Sequence, residues 1–259
     1  MSENPPNETP NPYELQKKLA LGCSIDQPER PKLTRRPEEP PAPAWTEATA
    51  NILKSQPGRV RAALTGGVGS GKSTVAELLV AFGADLIDFD LLSRKVLEPD
   101  TPGFYQTVEL LGPKIVTKDG TLDRQKIALT IFKKPLIKKA LEDIVHPLAW
   151  DLMVDRLTAL TDSPLVIIDT PLLFEANLNP LFYPVIVTFA SVDAQYQRLR
   201  SRDPHKSRRL LKSVIKSQKP FAEKVRLADI VINNGGSLIS LIRQTKEVYL
   251  TLMDWKTFK

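Results

Sequence analysis

The sequence predicts an α/β fold: a three-layer sandwich in which helices cover a five-stranded parallel sheet, interrupted by one helical insertion. Three observations predict it. Short apolar runs at residues 60–65, 86–87, 165–170, 184–190 and 230–234 alternate with stretches at helical spacing, as strands buried on both faces do. The first run enters a glycine-rich loop that opens directly into a helical pattern. Several helical segments separate the second run from the third, over a distance too long for a plain crossover.

The glycine-rich loop is the most informative stretch. Leu64-Thr-Gly-Gly-Val-Gly-Ser-Gly-Lys-Ser-Thr-Val75 fits G-x-x-x-x-G-K-[ST], with Gly66, Gly71, Lys72 and Ser73 at the fixed positions. The fold is therefore of P-loop NTPase type. The residue types follow from the chemistry of a triphosphate, which needs many donors converging on a small volume. Gly66, Gly67, Val68, Gly69, Ser70 and Gly71 let backbone N–H groups approach phosphate oxygens, and the following helix turns its positive end toward them. Lys72 is expected to bridge the β- and γ-phosphates, Ser73 to place its hydroxyl on Mg²⁺, and Thr74 to extend the phosphate contacts. The helix is expected from Ser73 to Phe82, with Val75, Leu78, Leu79 and Phe82 on one side. The motif does not separate a kinase from a GTPase or a motor, although no Asn-Lys-x-Asp guanine-reading motif is present.

Gly83 ends that helix, and a short strand begins at Leu86-Ile87. Asp88 and Asp90 follow at i, i+2, at the carboxyl end of the strand, where open parallel sheets bind ligands. A carboxylate there can take a proton from a substrate hydroxyl or help to hold Mg²⁺; a pair of cap acids is the competing reading. Helices are expected over Phe104 to Leu111, Arg124 to Phe132, Leu136 to Val145 and Ala149 to Leu160, with Pro147 starting the last. Residues 95–160 thus form a helical lobe on the substrate side. His146 lies in this lobe and could contact substrate or serve only the core.

The run Leu165-Val-Ile-Ile-Asp-Thr170 ends in Asp169, placed as an acid that supports Mg²⁺. The next helix carries Arg198, Arg200 and Arg202, and Lys206-Ser-Arg-Arg-Leu-Leu-Lys212 continues the charge. Residues 198–218 read either as a solvated basic face or as a lid that closes over the nucleotide. Ile230 to Asn234 forms the last strand, and Ser237 to Phe258 a closing helix with Leu238, Leu241, Ile242, Val248 and Leu252 facing inward.

Taken together, the P-loop, Leu86-Ile-Asp-Phe-Asp-Leu-Leu-Ser-Arg94, Val145-His-Pro147, Pro171-Leu-Leu-Phe-Glu175, Gln218, Glu223-Lys224, Ala228-Asp229 and Val231-Ile-Asn-Asn-Gly235 resemble the dephospho-CoA kinase family over about residues 60–250. The resemblance implies transfer of the γ-phosphoryl group of ATP to the ribose 3′-hydroxyl of dephospho-CoA, with Mg²⁺, giving coenzyme A. It makes Asp90 the general base with Asp88 beside it, Lys72 and Arg202 its charge-stabilising partners, and Arg94, His146, Leu172 and Glu175 acceptor-side contacts. Asn233 and Asn234 are implied near the adenine. The chain departs from the family pattern at Ser213, where relatives carry a lid arginine; Arg209, Lys212 or Lys216 are the nearby cations.

Composition limits the alternatives. Eleven of the 22 prolines fall in residues 1–59, which should be disordered or extended, with Tyr13 to Leu21 able to form two amphipathic turns. The eight acidic and eight basic residues of that stretch cancel, so the whole excess of +6 lies in residues 60–259 and suits an anionic ligand. A nucleotide is favoured over nucleic acid, since neither zinc-ligand spacing nor an aromatic RNA-binding signature is present. The chain shows no apolar signal region and no run approaching the ~20 apolar residues of a membrane span. Its one cysteine, Cys23, allows no internal disulfide, and a cytoplasmic monomer is expected. Two other functions fit parts of the chain: a non-catalytic ATP-binding regulator, and a kinase for another small metabolite such as a nucleoside.

Overall fold

A computed structural model of the chain describes residues 60–160, 162–171 and 173–255. The proline-rich segment with Tyr13 to Leu21 and Cys23, and also Leu172 and residues 256–259, lie outside the described residues. The elements in chain order are β1 (Val60–Gly66), α1 (Lys72–Ala81), β2 (Asp85–Asp88), α2 (Phe89–Lys95), α3 (Pro102–Leu111), α4 (Arg124–Lys133), α5 (Pro135–Ala159), β3 (Leu165–Asp169), β4 (Val185–Phe189), α6 (Val192–Arg202), α7 (Arg208–Lys216), α8 (Phe221–Arg226), β5 (Ile230–Asn233) and α9 (Leu238–Trp255).

The five strands are all parallel, in the order β2-β3-β1-β4-β5. β1 and β3 are buried along their whole length, which explains why both read as unbroken apolar runs. Their side chains alternate between two cores. Ala62, Leu64, Leu165 and Ile167 pack with Val75 and Leu79 of α1 and Leu241 and Leu252 of α9. Ala63, Val166 and Ile168 face the other way, toward Phe89 and Leu92 of α2 and Val145, Trp150 and Met153 of α5. The chain after β2 crosses to one side of β1 and the chain after β4 lies on the other. The carboxyl ends of β1, β2, β3 and β4 therefore meet at one edge, where the site is built.

Several helices start where a polar residue caps them. Asp88, Thr101, Asp123, Ser191 and Ser207 each accept a backbone N–H three residues on. Two expectations fail. Residues 135–159 form one helix of 25 residues with Pro147 inside it, rather than two helices split at the proline. Pro147 removes one ladder bond, at a cost of about 3 kcal/mol. The buried stripe Leu141, Val145, Ala149, Trp150, Met153 and Leu157 runs through the proline at helical spacing and outweighs that cost, at about 1.5–3 kcal/mol for each large side chain buried. On α9, Leu241, Thr245, Val248 and Leu252 are buried as a single stripe, whereas Leu238 (61% exposed) and Ile242 (37%) face outward.

Candidate active site

β1 delivers the glycine loop to the sheet edge. Gly71 is the N-cap of α1, with φ +88° and no side-chain capping bond, so the first N–H groups of the helix remain available to an anion. A Cβ at Gly71 would lie 2.0 Å from Asn234 Nδ2, so any side chain there collides as well as straining the backbone. Gly66 is equally hemmed in: a Cβ would meet Ser70 Oγ at 2.6 Å and the Thr188 carbonyl at 2.8 Å.

The loop is held from behind by side chains from elements far away in sequence. Arg198 of α6 donates to the carbonyls of Gly69 (3.2 Å), Ser70 (3.1 Å) and Asn234 (2.7 Å). Asn234, just past β5, donates from Nδ2 to the same Ser70 carbonyl at 2.8 Å. Gln218, beyond α7, accepts the Val68 N–H at 2.8 Å. These groups bind the loop backbone, leaving the α1 side of the loop for a ligand. Asn233 serves its own turn, accepting from Gly235 N and exchanging bonds with Gln244. Ser73, in the first turn of α1, is exposed, as a hydroxyl that must reach a ligand-bound ion needs to be.

Opposite the loop, parallel register sets the acids. Asp88 pairs with Asp169 across β2 and β3, and Leu64 pairs with Asp169 across β1 and β3. Lys72 reaches over and forms an ion pair with the buried Asp169. Burial raises the Asp169 carboxyl above the usual range; the Lys72 ammonium opposes this. Asp88 spends one oxygen on the Leu91 N–H as the cap of α2, at 2.9 Å, so one of the two acids is a cap. Asp90, in the first turn of α2, has no such commitment. Asp90 is exposed as a residue, but the protein lining the cleft partly desolvates its carboxyl and raises its pKa, with Asp88 adding to the effect, while Lys72 and Arg94 lower it. Arg94 stands on the exposed side of α2 one turn further on.

Asp90 lines a small cleft with Phe89, Ser93, His146, Thr170, Ala176 and Leu178. The α5 helix brings His146 into this cleft. Burial pushes its imidazole below the ordinary histidine range, against Glu142 and Asp143, so the ring is neutral at neutral pH and can both donate and accept. The cleft thus offers a carboxylate, a neutral imidazole and two hydroxyl residues beside a phosphate loop and its lysine.

Other predicted residues lie further off. Arg202 is exposed and pairs with Asp203 at 3.3 Å. Glu175 turns toward Lys224 (2.9 Å) and the Lys219 N–H (3.2 Å). Arg198, Gln218 and Lys224 were legible in the sequence only as members of a basic or signature segment. Nothing local to them signals which carbonyl, N–H or carboxylate they meet. Among the described residues no group of three or more His, Cys, Asp or Glu could hold a metal by itself, and no helix is long and apolar enough to cross a membrane.

Comparison with known proteins agrees with this geometry. The family model described as dephospho-CoA kinase matches residues 60–240. A dephospho-CoA kinase of Carboxydothermus hydrogenoformans is 36% identical over 196 residues, covering 74% of this chain and 93% of the relative. One from Oceanobacillus iheyensis is 39% identical over 177 residues, covering 68% and 88%. A Thermus thermophilus crystal structure superposes with a TM-score of 0.67 at 34% identity, covering 75% of this chain and 98% of that one. A dephospho-CoA kinase from Campylobacter jejuni, at 23% identity and a TM-score of 0.58, shares the fold over 75% and 98%.

Proposed function

The chain belongs to the dephospho-CoA kinase family, and from that premise we propose how its residues move the γ-phosphoryl group of ATP to the ribose 3′-hydroxyl of dephospho-CoA. The observation that carries the reading is Asp90: an uncommitted carboxylate, in a cleft with a neutral imidazole, in the field of the P-loop lysine.

ATP lies with its phosphates on residues Gly66 to Thr74, held by loop N–H groups and the N-terminus of α1. Lys72 leaves Asp169 for the β- and γ-phosphates. The acceptor ribose enters the cleft, where His146 can hydrogen-bond it, and Arg94 meets acceptor phosphate at the rim. Asp90 takes the 3′-hydroxyl proton as the oxygen attacks phosphorus; the bond from phosphorus to the β,γ-bridging oxygen breaks and ADP leaves. Asp88 supports this through the α2 cap, which fixes the direction of Asp90. Such a reaction depends mainly on positioning and electrostatics, which the paired loop and cleft provide.

Ser73 and Asp169 offer hard oxygen donors suited to Mg²⁺, whose remaining ligands would come from phosphate and water; when bound, the ion neutralises phosphate charge. In the lid, Arg202 would exchange Asp203 for phosphate, assisted by Arg209, Lys212 and Lys216 on the exposed side of α7. The Asn233-Asn234 turn borders the loop on the side proposed for adenine. Use of ATP fits a cytoplasmic enzyme, and a monomer is the state proposed for it.

The test is ADP release by the purified chain with Mg²⁺·ATP, with and without dephospho-CoA. Asp90→Asn should retain ATP binding and lose roughly a hundredfold or more in kcat. Full turnover in that variant would remove Asp90 from the base role.

A further inference from the structure

One strap of chain touches both halves of the site. Residues 217–220 join α7, the basic lid helix, to α8, and the strap continues through the first turn of α8 to Lys224. At one end Gln218 accepts the Val68 N–H of the phosphate loop at 2.8 Å. One residue later, the Lys219 N–H donates to Glu175 Oε1 at 3.2 Å. The same oxygen forms an ion pair with Lys224 at 2.9 Å. The Lys224 side chain is 2% exposed, and Glu175 is its one ion-pair partner among the described residues. Phe221, between them, stacks on Phe189 at the end of β4, ring centroids 3.9 Å apart.

Glu175 is itself held firmly. Leu173, Phe174 and Leu178 around it are core residues, and Leu178 N closes the turn onto the Leu173 carbonyl at 2.9 Å. Ala176 and Leu178 of that turn line the Asp90 cleft. Glu175 Oε2 is buried with no protein partner, so the carboxylate is committed to the strap through a single oxygen. A buried ammonium with one counter-charge is a costly feature to retain for packing alone, since an apolar pair of similar volume fills such space at least as well. Its geometry has a mechanical use: it joins the wall of the acceptor cleft to the root of the lid.

From this we infer that Glu175 is a positioning residue for phosphoryl transfer. It clasps Lys219 N–H and Lys224, fixes the strap, and through Gln218 sets the lid root against the phosphate loop. The inference rests on the phosphoryl-transfer reading given above. It departs from the sequence expectation that Glu175 contacts the acceptor directly.

The experiment compares wild type, Glu175→Gln, Gln218→Ala and the double variant, each checked by a thermal melt. The readouts are kcat, KM for dephospho-CoA, and ATP affinity by equilibrium binding. A misplaced lid root should lower kcat at least about tenfold in each single variant, with KM for dephospho-CoA held within about threefold; ATP affinity should hold in Glu175→Gln, which leaves the loop contact of Gln218 in place, and fall in Gln218→Ala, which removes it. Because both residues act through one strap, the double variant should be little worse than the poorer single one. The two side chains hydrogen-bond to different groups, Glu175 to Lys219 N–H and Gln218 to Val68 N–H, so losses that did not pass through a common strap would multiply. Multiplying effects overturn the proposal, as does an unchanged kcat. A raised KM at unchanged kcat in Glu175→Gln would also overturn it, since the carboxylate would then be touching the acceptor. Should Glu175→Gln fail to fold, Gln218→Ala decides: the same split supports the clasp and an unaltered kcat sinks it. Absence of dephospho-CoA-dependent ADP release in the wild type would sink the underlying reading as well, and is thereby distinguished from failure of the clasp alone.

Discussion

Replacing Arg198 by alanine removes three hydrogen bonds from a charged donor at once, to the carbonyls of Gly69, Ser70 and Asn234. A hydrogen bond from a charged group contributes about 1.5–3 kcal/mol when well buried. These three are half-buried, and the Ser70 carbonyl keeps a second donor in Asn234 Nδ2. Counting the other two near the low end gives a loss of about 2–4 kcal/mol. The carbonyls concerned belong to the loop whose N–H groups face the nucleotide, so ATP affinity should fall by about tenfold or more. Arg198→Lys keeps the charge but not the planar fork; an ammonium cannot span three carbonyls arranged around it, so about half the stability loss should remain. Urea denaturation read at constant m measures the first quantity, and equilibrium nucleotide binding the second. If Arg198→Ala changed stability by less than about 0.5 kcal/mol and left ATP affinity untouched, the brace would contribute nothing and the reasoning would be refuted.

Two further perturbations bear on the site. Gly71→Ala places a methyl 2.0 Å from Asn234 Nδ2 in a left-handed backbone position, so ATP binding should be lost even in the fraction of protein that folds; near-normal affinity would show that the loop relaxes freely. The acid limb of kcat/KM should lie above the usual carboxylate range, because Asp90 acts only when ionised and burial raises its pKa; activity rises as pH rises through that value. Burial raises the Asp169 carboxyl too, so the limb belongs to Asp90 only if Asp169→Asn leaves its position unchanged. A limb at the ordinary carboxylate pKa would contradict the assignment. The same sign governs stability. A carboxyl raised in the folded state favours folding when protonated, and its contribution is lost as pH rises through the folded value, so Asp90→Asn should raise Tm at neutral pH.

Much of this protein was present in local pattern. The spacing of Gly66, Gly71, Lys72 and Ser73 already specifies a strand, a loop and a helix end that bind phosphate, because each residue type answers a local steric or electrostatic requirement. Alternating apolar strands and helical segments specify a parallel sheet; of the two acids read as i, i+2 along extended chain, Asp88 ends the strand, whereas Asp90 stands in the first turn of the helix that Asp88 caps. Local pattern also misled at Pro147, where a breaker in sequence lies inside a helix because a buried stripe passes through it.

Which groups meet was decided by tertiary structure. The order β2-β3-β1 brings Asp88 beside Asp169 and puts Asp169 within reach of Lys72, although Lys72 and Asp169 are 97 residues apart. The turn after β5 puts Asn234 on a carbonyl 164 residues earlier, and α6 aims Arg198 at the same one. Glu175 and Lys224 find each other only when the lid strap closes on the acceptor wall. Periodicity and motif spacing record interactions within a turn of helix or a few residues of strand. A lone arginine, glutamine or lysine has no period, and its partner is chosen by strand register and helix packing over distances that no short stretch of sequence encodes.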